Sequence, residues 1–67
     1  MDKYTTFENY SAAEGFAEAM VSDLESDERI LVMYKNVGGD DEYIVISGYR
    51  FREAKYDGYQ MVLSCSL

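Results

Sequence analysis

The sequence predicts an α+β fold in which one N-terminal helix packs on a three-stranded antiparallel meander. Three observations support this fold class. An amphipathic helical pattern begins near residue 11, alternating apolar residues surround a Gly-Gly turn, and another alternating stretch covers residues 60–67. A chain of 67 residues is one small domain, spanning 1–67, and buries only about 60% of the surface that it exposes when unfolded.

The helix is predicted from a capping box and an apolar stripe. Ser11 and Glu14 have the spacing at which a hydroxyl and a carboxylate each accept a backbone N–H of the first turn, and the pattern extends to about residue 24 or 25. Gly15 either weakens the first turn by about 1 kcal/mol relative to alanine or permits close approach of a neighbouring element, and both explanations stay open. The apolar stripe comprises Ala13, Phe16, Ala17, Met20 and Leu24.

Residues 29–46 are predicted to form a β-hairpin with arms at 29–36 and 43–47 and a turn at 37–41. Both alternating sets of the first arm are largely apolar, so we expect cover on one face and on part of the other. Gly48 predicts a β-bulge in the returning strand, which would place Tyr49 and Phe51 on the face of Ile44 and Ile46.

A second turn and a third strand follow. Asp57-Gly58 predicts a two-residue type I′ turn, and residues 60–67 then alternate as a strand with one buried face. Residues 3–7 are rich in β-formers and predict either a short fourth strand or an extended arm.

The composition argues against catalysis, metals and cofactors. With one cysteine and no histidine, the chain has no internal disulfide and no thiolate or imidazole metal site. Asp40, Asp41 and Glu42 lack the ligand spacing of a calcium loop, and Cys65 lies on the apolar parity of its strand. We therefore expect no enzyme and no cofactor. Without an apolar signal segment or a long apolar run, the sequence predicts a soluble, cytoplasmic protein.

Charge is the main clue to function. Thirteen acids and six bases give a net charge of -7, which disfavours nucleic acids and anionic membranes as partners and favours basic ones. The acids concentrate at 23–28 and 40–42, which would lie at opposite ends of the first hairpin arm, roughly 25 Å apart. The first cluster also opposes the macrodipole at the end of the helix, which favours a functional reason for it.

These features predict a binding protein that inhibits a basic, nucleic-acid-handling protein by occupying its positively charged surface as a nucleic-acid mimic. Direct contact with nucleic acid or a membrane is not expected. The format (short, acidic, tyrosine-rich, without a catalytic set) resembles phage-encoded inhibitors such as anti-CRISPR and host-takeover proteins, which would act in the host cytoplasm. The resemblance is one of type and implies no residue roles. The predicted partner-binding residues are Glu14, Glu18, Asp23, Glu25, Asp27, Glu28, Asp40, Asp41, Glu42 and, as an aromatic anchor, Tyr43.

Two alternatives remain. Residues 60–67 would form a sheet edge without lysine or proline, so the chain could instead be a structural or assembly protein that forms a homodimer through this strand. The interleaved bases and aromatics of residues 49–56 are typical of a single-strand nucleic-acid platform, although the net charge opposes phosphate binding. The tyrosines expected to be exposed beside turns are Tyr10, Tyr43, Tyr56 and Tyr59.

Overall fold

The computed structural model describes residues 3–23 and 28–66 and confirms the α+β class, with an N-terminal helix on an antiparallel sheet. The short strand expected within residues 3–7 is also present. No helix in these ranges is long and apolar enough to cross a membrane. In chain order the elements are β1 (Thr5–Phe7), α1 (Tyr10–Val21), β2 (Ile30–Val37), β3 (Asp40–Ser47), a 3₁₀ turn (Gly48–Arg50), α2 (Phe51–Tyr56) and β4 (Gln60–Cys65).

The hairpin of β2 and β3 forms the centre of the sheet, whose strand order is β1-β3-β2-β4. Its turn contains only Gly38 and Gly39, with φ of 61° and 91°, and Val37 pairs with Asp40. Two consecutive residues with positive φ form a tight turn whose twist matches that of the strands. The turn is therefore shorter than the predicted turn at 37–41, and the strands extend to Val37 and Asp40.

Residues 48–56 are helical, and the predicted bulged strand at Gly48 is wrong. The Gly48 N–H donates to the Arg29 carbonyl oxygen at 2.8 Å, which ends the sheet pairing, and the 3₁₀ turn then leads into α2. Phe51 and Ala54, three residues apart, both face the core, as helical periodicity requires. Because α2 carries the chain across the sheet, β4 pairs with β2, whereas in the predicted meander it would lie beside β3.

The Asp57-Gly58 pair ends α2 and does not form the predicted two-residue hairpin turn. Gly58 has φ of 98°, its N–H donates to the Lys55 carbonyl oxygen at 3.1 Å, and the Tyr59 N–H donates to the Ala54 carbonyl oxygen at 3.0 Å. These two bonds are the Schellman arrangement, in which a left-handed glycine closes a helix.

A β-bulge does occur, but in β4. Leu63 lies opposite Val32 whereas Met61 lies opposite Met33, so Val62 is an additional residue between the two pairs. The shift exchanges the faces of β4, and the predicted single buried face is therefore interrupted. Met61 remains 50% exposed and Val62 42% exposed.

The two helices cover opposite faces of the sheet, which we call the α1 side and the α2 side. Alternate residues of β2 serve the two sides: Ile30 and Val32 pack with Ala17 of α1, and Leu31 and Met33 pack with Ala54 of α2. A strand in the middle of three layers needs apolar residues at both parities. This arrangement explains the continuous apolar run of β2.

Helix α1 begins and ends earlier than predicted. The side chain of Asn9, not that of Ser11, caps it by accepting the Ala12 N–H at 2.8 Å, so the predicted capping box is wrong. The helix ends at Val21, and the Ser22 hydroxyl donates to the Ala19 carbonyl oxygen at 2.8 Å. The predicted stripe is otherwise largely confirmed: Ala13 and Ala17 are fully buried and Met20 packs beside them, Phe16 is 41% exposed, and Leu24 lies outside the described residues.

Gly15 gives a first testable prediction. An added Cβ at this helical position would meet nothing within 4 Å, so close approach of a neighbour does not explain the glycine. We expect Gly15→Ala to raise the free energy of unfolding by about 0.5–1 kcal/mol, through helix propensity, and to raise Tm by a few degrees. Gly39→Ala is the matched control, because its φ of 91° strains any side chain, and it should lower Tm. Equal shifts in both variants would contradict this explanation.

Candidate interaction surface

Charge is divided between the two sides of the sheet. Residues 4–28, which include α1, contain seven acids and no base. Four of the six bases lie at or near α2. Arg50, Arg52 and Lys55 belong to the 3₁₀ turn and α2, and Lys3 forms an ion pair with Asp57, which follows α2. Lys35 belongs to the same side, because its ammonium lies 4.5 Å from the centroid of the Tyr59 ring. The molecule is therefore electrically two-sided.

Two acids of the α2 side, Asp57 and Glu53, form ion pairs with nearby bases. Lys3 Nζ lies 3.1 Å from Asp57 Oδ2, and an Arg50 guanidinium nitrogen lies 3.0 Å from Glu53 Oε2. The Tyr4 hydroxyl and then the Lys3 ammonium, both donating to Asp57, lower the pKa of that carboxyl, and the hydrogen bond from Arg50 lowers the pKa of Glu53. Every ion pair formed among residues 3–23 and 28–66 belongs to this group.

Two buried tyrosines fix this network to the core. Tyr4 donates to Asp57 Oδ2 at 2.6 Å, and Tyr59 donates to Glu42. Burial, and then the bond to a carboxylate, raises the pKa of both phenols, so both stay protonated donors at neutral pH. Together with Lys3 and Lys35 these side chains line a shallow groove of about 320 Å³.

Glu42 lines the cleft at the hairpin tip together with Asp40 and Asp41, but its carboxylate is engaged on the α2 side. Side chains alternate along β3, so Glu42 shares a parity with Ile44 and Ile46, which belong to the α2-side core, and it pairs across the sheet with Lys35. Its carboxylate is the acceptor for Tyr59. We therefore assign Glu42 to the α2-side network.

The remaining acids of the hairpin tip gain a partner that the sequence did not suggest. Asp40 and Asp41 are exposed, and Glu8 lines the same cleft, because β1 pairs with β3 and brings residues 5–8 to the tip. Within the described ranges no three acids converge closely enough to hold a metal ion. The Asn36 amide donates to Asp41 Oδ1 at 3.1 Å, and the three carboxylates together form a negative patch at the tip.

The predicted cluster at residues 23–28 lies at the other end of β2. Met20 and Val21, at the end of α1, pack in the same cluster as Ile30, so Asp23 and Glu28 lie near the start of β2. Asp23 is exposed and Glu28 half-buried. Glu25 and Asp27 lie outside the described residues. The eight residues of β2 separate the two ends by roughly 25 Å, as the sequence predicted.

Helix α1 joins the two ends along the α1 side and carries the remaining predicted acids. Glu18 is exposed, and half-buried Glu14 accepts a hydrogen bond from the Tyr10 hydroxyl at 3.3 Å. Burial raises the pKa of the Cys65 thiol, and the negative charges of Glu18 and Glu14 raise this pKa further. We call the following residues the acidic surface: Glu8, Glu14, Glu18, Asp23, Glu28, Asp40 and Asp41.

A row of three half-buried tyrosines borders this surface. The Tyr43 ring lies 6.0 Å from that of Tyr10 and 5.9 Å from that of Tyr34, between centroids. Tyr43 is thus a member of the α1-side core with partial exposure. Aromatic faces beside free carboxylates suit guanidinium groups, which stack and form ion pairs at once.

The expectation that turn-proximal tyrosines are exposed is only partly confirmed. Tyr56 is 92% exposed, but Tyr59 is 4% exposed because the Schellman turn directs it into the α2-side core. Tyr10 and Tyr43 are half-buried. Tyr49, which the predicted bulge would have placed in the core, is 82% exposed.

Comparisons of the chain with protein-family models, with curated proteins and with solved structures find no match.

Proposed function

We propose that the protein is a small acidic binding protein that inhibits a basic, nucleic-acid-handling protein by occupying its positively charged surface. The observation that carries the proposal is the division of charge. Among the described residues, ion pairs neutralise Glu53 and Asp57 on the α2 side, whereas no acid of the acidic surface forms one. The acidic surface extends along α1 between both ends of β2. The proposal includes a phage-type inhibitor that acts against host defence or in host takeover, for example an anti-CRISPR-like protein, in the host cytoplasm.

The recognition follows from two properties of the acidic surface. Its carboxylates are spread over roughly 25 Å on a rigid sheet-and-helix frame, so they can meet a groove lined by lysine and arginine without reorganisation. The tyrosine row of Tyr10, Tyr34 and Tyr43 adds flat area and stacking for arginine. Long-range attraction between opposite charges also accelerates association at low salt.

Capture from a host lysate, repeated at about 0.1 and 0.5 M salt and analysed by mass spectrometry, tests the proposal. We expect a basic protein that is retained at low salt and lost at high salt, because screening weakens exposed charge pairs. The captured protein should then bind a labelled oligonucleotide less well when this chain is added. The proposal would be refuted if the captured protein were retained equally at both salt concentrations and its oligonucleotide binding were unchanged.

A further inference from the structure

β4 is an open sheet edge with an unusual composition. It pairs with β2 on one side, and in the described part of the sheet no strand lies on its other side. Residues 58–67 form the longest run in the chain without a charged residue, and they include no proline. Exposed edges of this kind are normally protected by charge or proline, because unpaired N–H and C=O groups bind other strands. The opposite edge, β1, has only three residues.

We propose that β4 pairs antiparallel with β4 of a second copy of this chain. The occupant is inferred from charge and from shape. Two molecules of net charge -7 repel each other over most of their surfaces, and the uncharged edge is where this repulsion is smallest. The bulge at Val62 twists the edge, which disfavours pairing with a flat strand, whereas a second copy has the same twist. Pairing also covers part of Met61 and Val62, which are half-exposed in the single chain.

The geometry of such a pair follows from symmetry. Two identical strands lying side by side and antiparallel are related by a twofold axis perpendicular to the sheet. This axis keeps each face of the sheet on its own side, so the four-stranded sheets join into one continuous sheet with both α1 helices on the same side. If the proposed function holds, the dimer presents two acidic surfaces to one partner. The pairing itself does not depend on that function.

Salt should affect this dimer and the partner complex in opposite directions. The dimer still joins two molecules that each have a net charge of -7, so some repulsion remains between the copies. Screening reduces this repulsion, and we expect the dimer to be retained or strengthened between about 0.05 and 0.5 M salt. Binding to a basic partner should weaken over the same range, so failure of one proposal can be told from failure of the other.

The test is size-exclusion chromatography with light scattering over a series of protein concentrations. We expect the mass to rise from 7.7 kDa toward twice that value, and Val62→Glu to raise the dimer dissociation constant at least about tenfold. Val37→Glu is the matched control: it makes the same substitution and charge change at a residue that is 51% exposed beside the hairpin turn. It should leave dimerisation within about threefold of the unmodified chain, because like charges far from the seam repel weakly.

Amide hydrogen exchange on the unmodified chain gives a second readout that does not depend on the folding of a variant. Protection of the β4 amides should increase with protein concentration, while that of the central strand β3 stays constant. A mass of 7.7 kDa at every concentration, or equal effects of Val62→Glu and Val37→Glu, would overturn the proposal.

Discussion

Neutralising Glu14 and Glu18 together, as Glu14→Gln/Glu18→Gln, is expected to weaken binding to the captured basic partner by about 2 kcal/mol, or about 30-fold. These residues lie at the middle of the acidic surface, on the helix that joins its two ends. Glutamine keeps the length of the side chain and an acceptor for the Tyr10 hydroxyl, so the loss reports charge. The change is measured by titration calorimetry at low salt and should shrink as salt is added.

The control changes the same amount of charge on the other side of the sheet. Tyr49→Lys/Tyr56→Lys takes the net charge from -7 to -5, as the double glutamine variant does, but at side chains that are 82% and 92% exposed near α2. A site-specific acidic surface predicts less than about a threefold effect from the lysine variant. If both variants weaken binding equally, net charge alone governs the association, and the assignment of the site to α1 is wrong.

Periodicity in the sequence was sufficient for the elements whose partners are local. The apolar spacing of Ala13, Ala17 and Met20 identified the buried face of α1, and the Gly-Gly pair between two apolar runs identified the hairpin. Both are determined within about a dozen residues. The apolar run of β2 also indicated cover on one face and on part of the other, and the two helices cover both faces.

The segment from Gly48 to Tyr59 was misinterpreted because its local signals fit two structures. A glycine with positive φ after aspartate serves a type I′ hairpin turn and a Schellman helix end equally well. The choice depends on what lies upstream, where Phe51 and Ala54 have helical spacing and Arg50 pairs with Glu53 three residues on. The three-residue spacing could have identified α2. The position of β4 beside β2 could not have been predicted from local sequence, because it depends on where the chain leaves α2.

Composition located the acidic clusters, but sheet register decided which carboxylates share a surface. Strand alternation turns Glu42 toward Lys35 and Tyr59 and gives its neighbour Asp41 the opposite parity, whereas Asp40 lines the cleft at the tip of the hairpin. Pairing of β1 with β3 brings Glu8 to the tip from a distant part of the chain. Alternation was readable once the strand was assigned, whereas the position of Glu8 required knowledge of the β1 partner.

Ala17→Asp is expected to unfold most of the protein. The test matters for function because the acidic surface requires α1 to be packed against the sheet. Ala17 has no solvent exposure and packs among Ile30, Val32 and Val45. Ala17→Asp would bury an unpaired charge or force its protonation, at a cost of several kcal/mol. At about 0.05–0.15 kcal/mol per residue, a domain of this size has little more stability than that to lose.

Ala19→Asp adds the same charge to the exposed side of the same helix and should cost less than about 1 kcal/mol. Urea unfolding followed by circular dichroism measures both variants.

Ala54→Asp extends the test to the α2-side core, where Ala54 is equally inaccessible to solvent. If Ala54→Asp also unfolds α1, the two layers are one cooperative unit. If α1 and the sheet survive it, the α1-side core supports the acidic surface by itself. If Ala17→Asp and Ala19→Asp lower the free energy of unfolding equally, α1 does not pack on the sheet through Ala17.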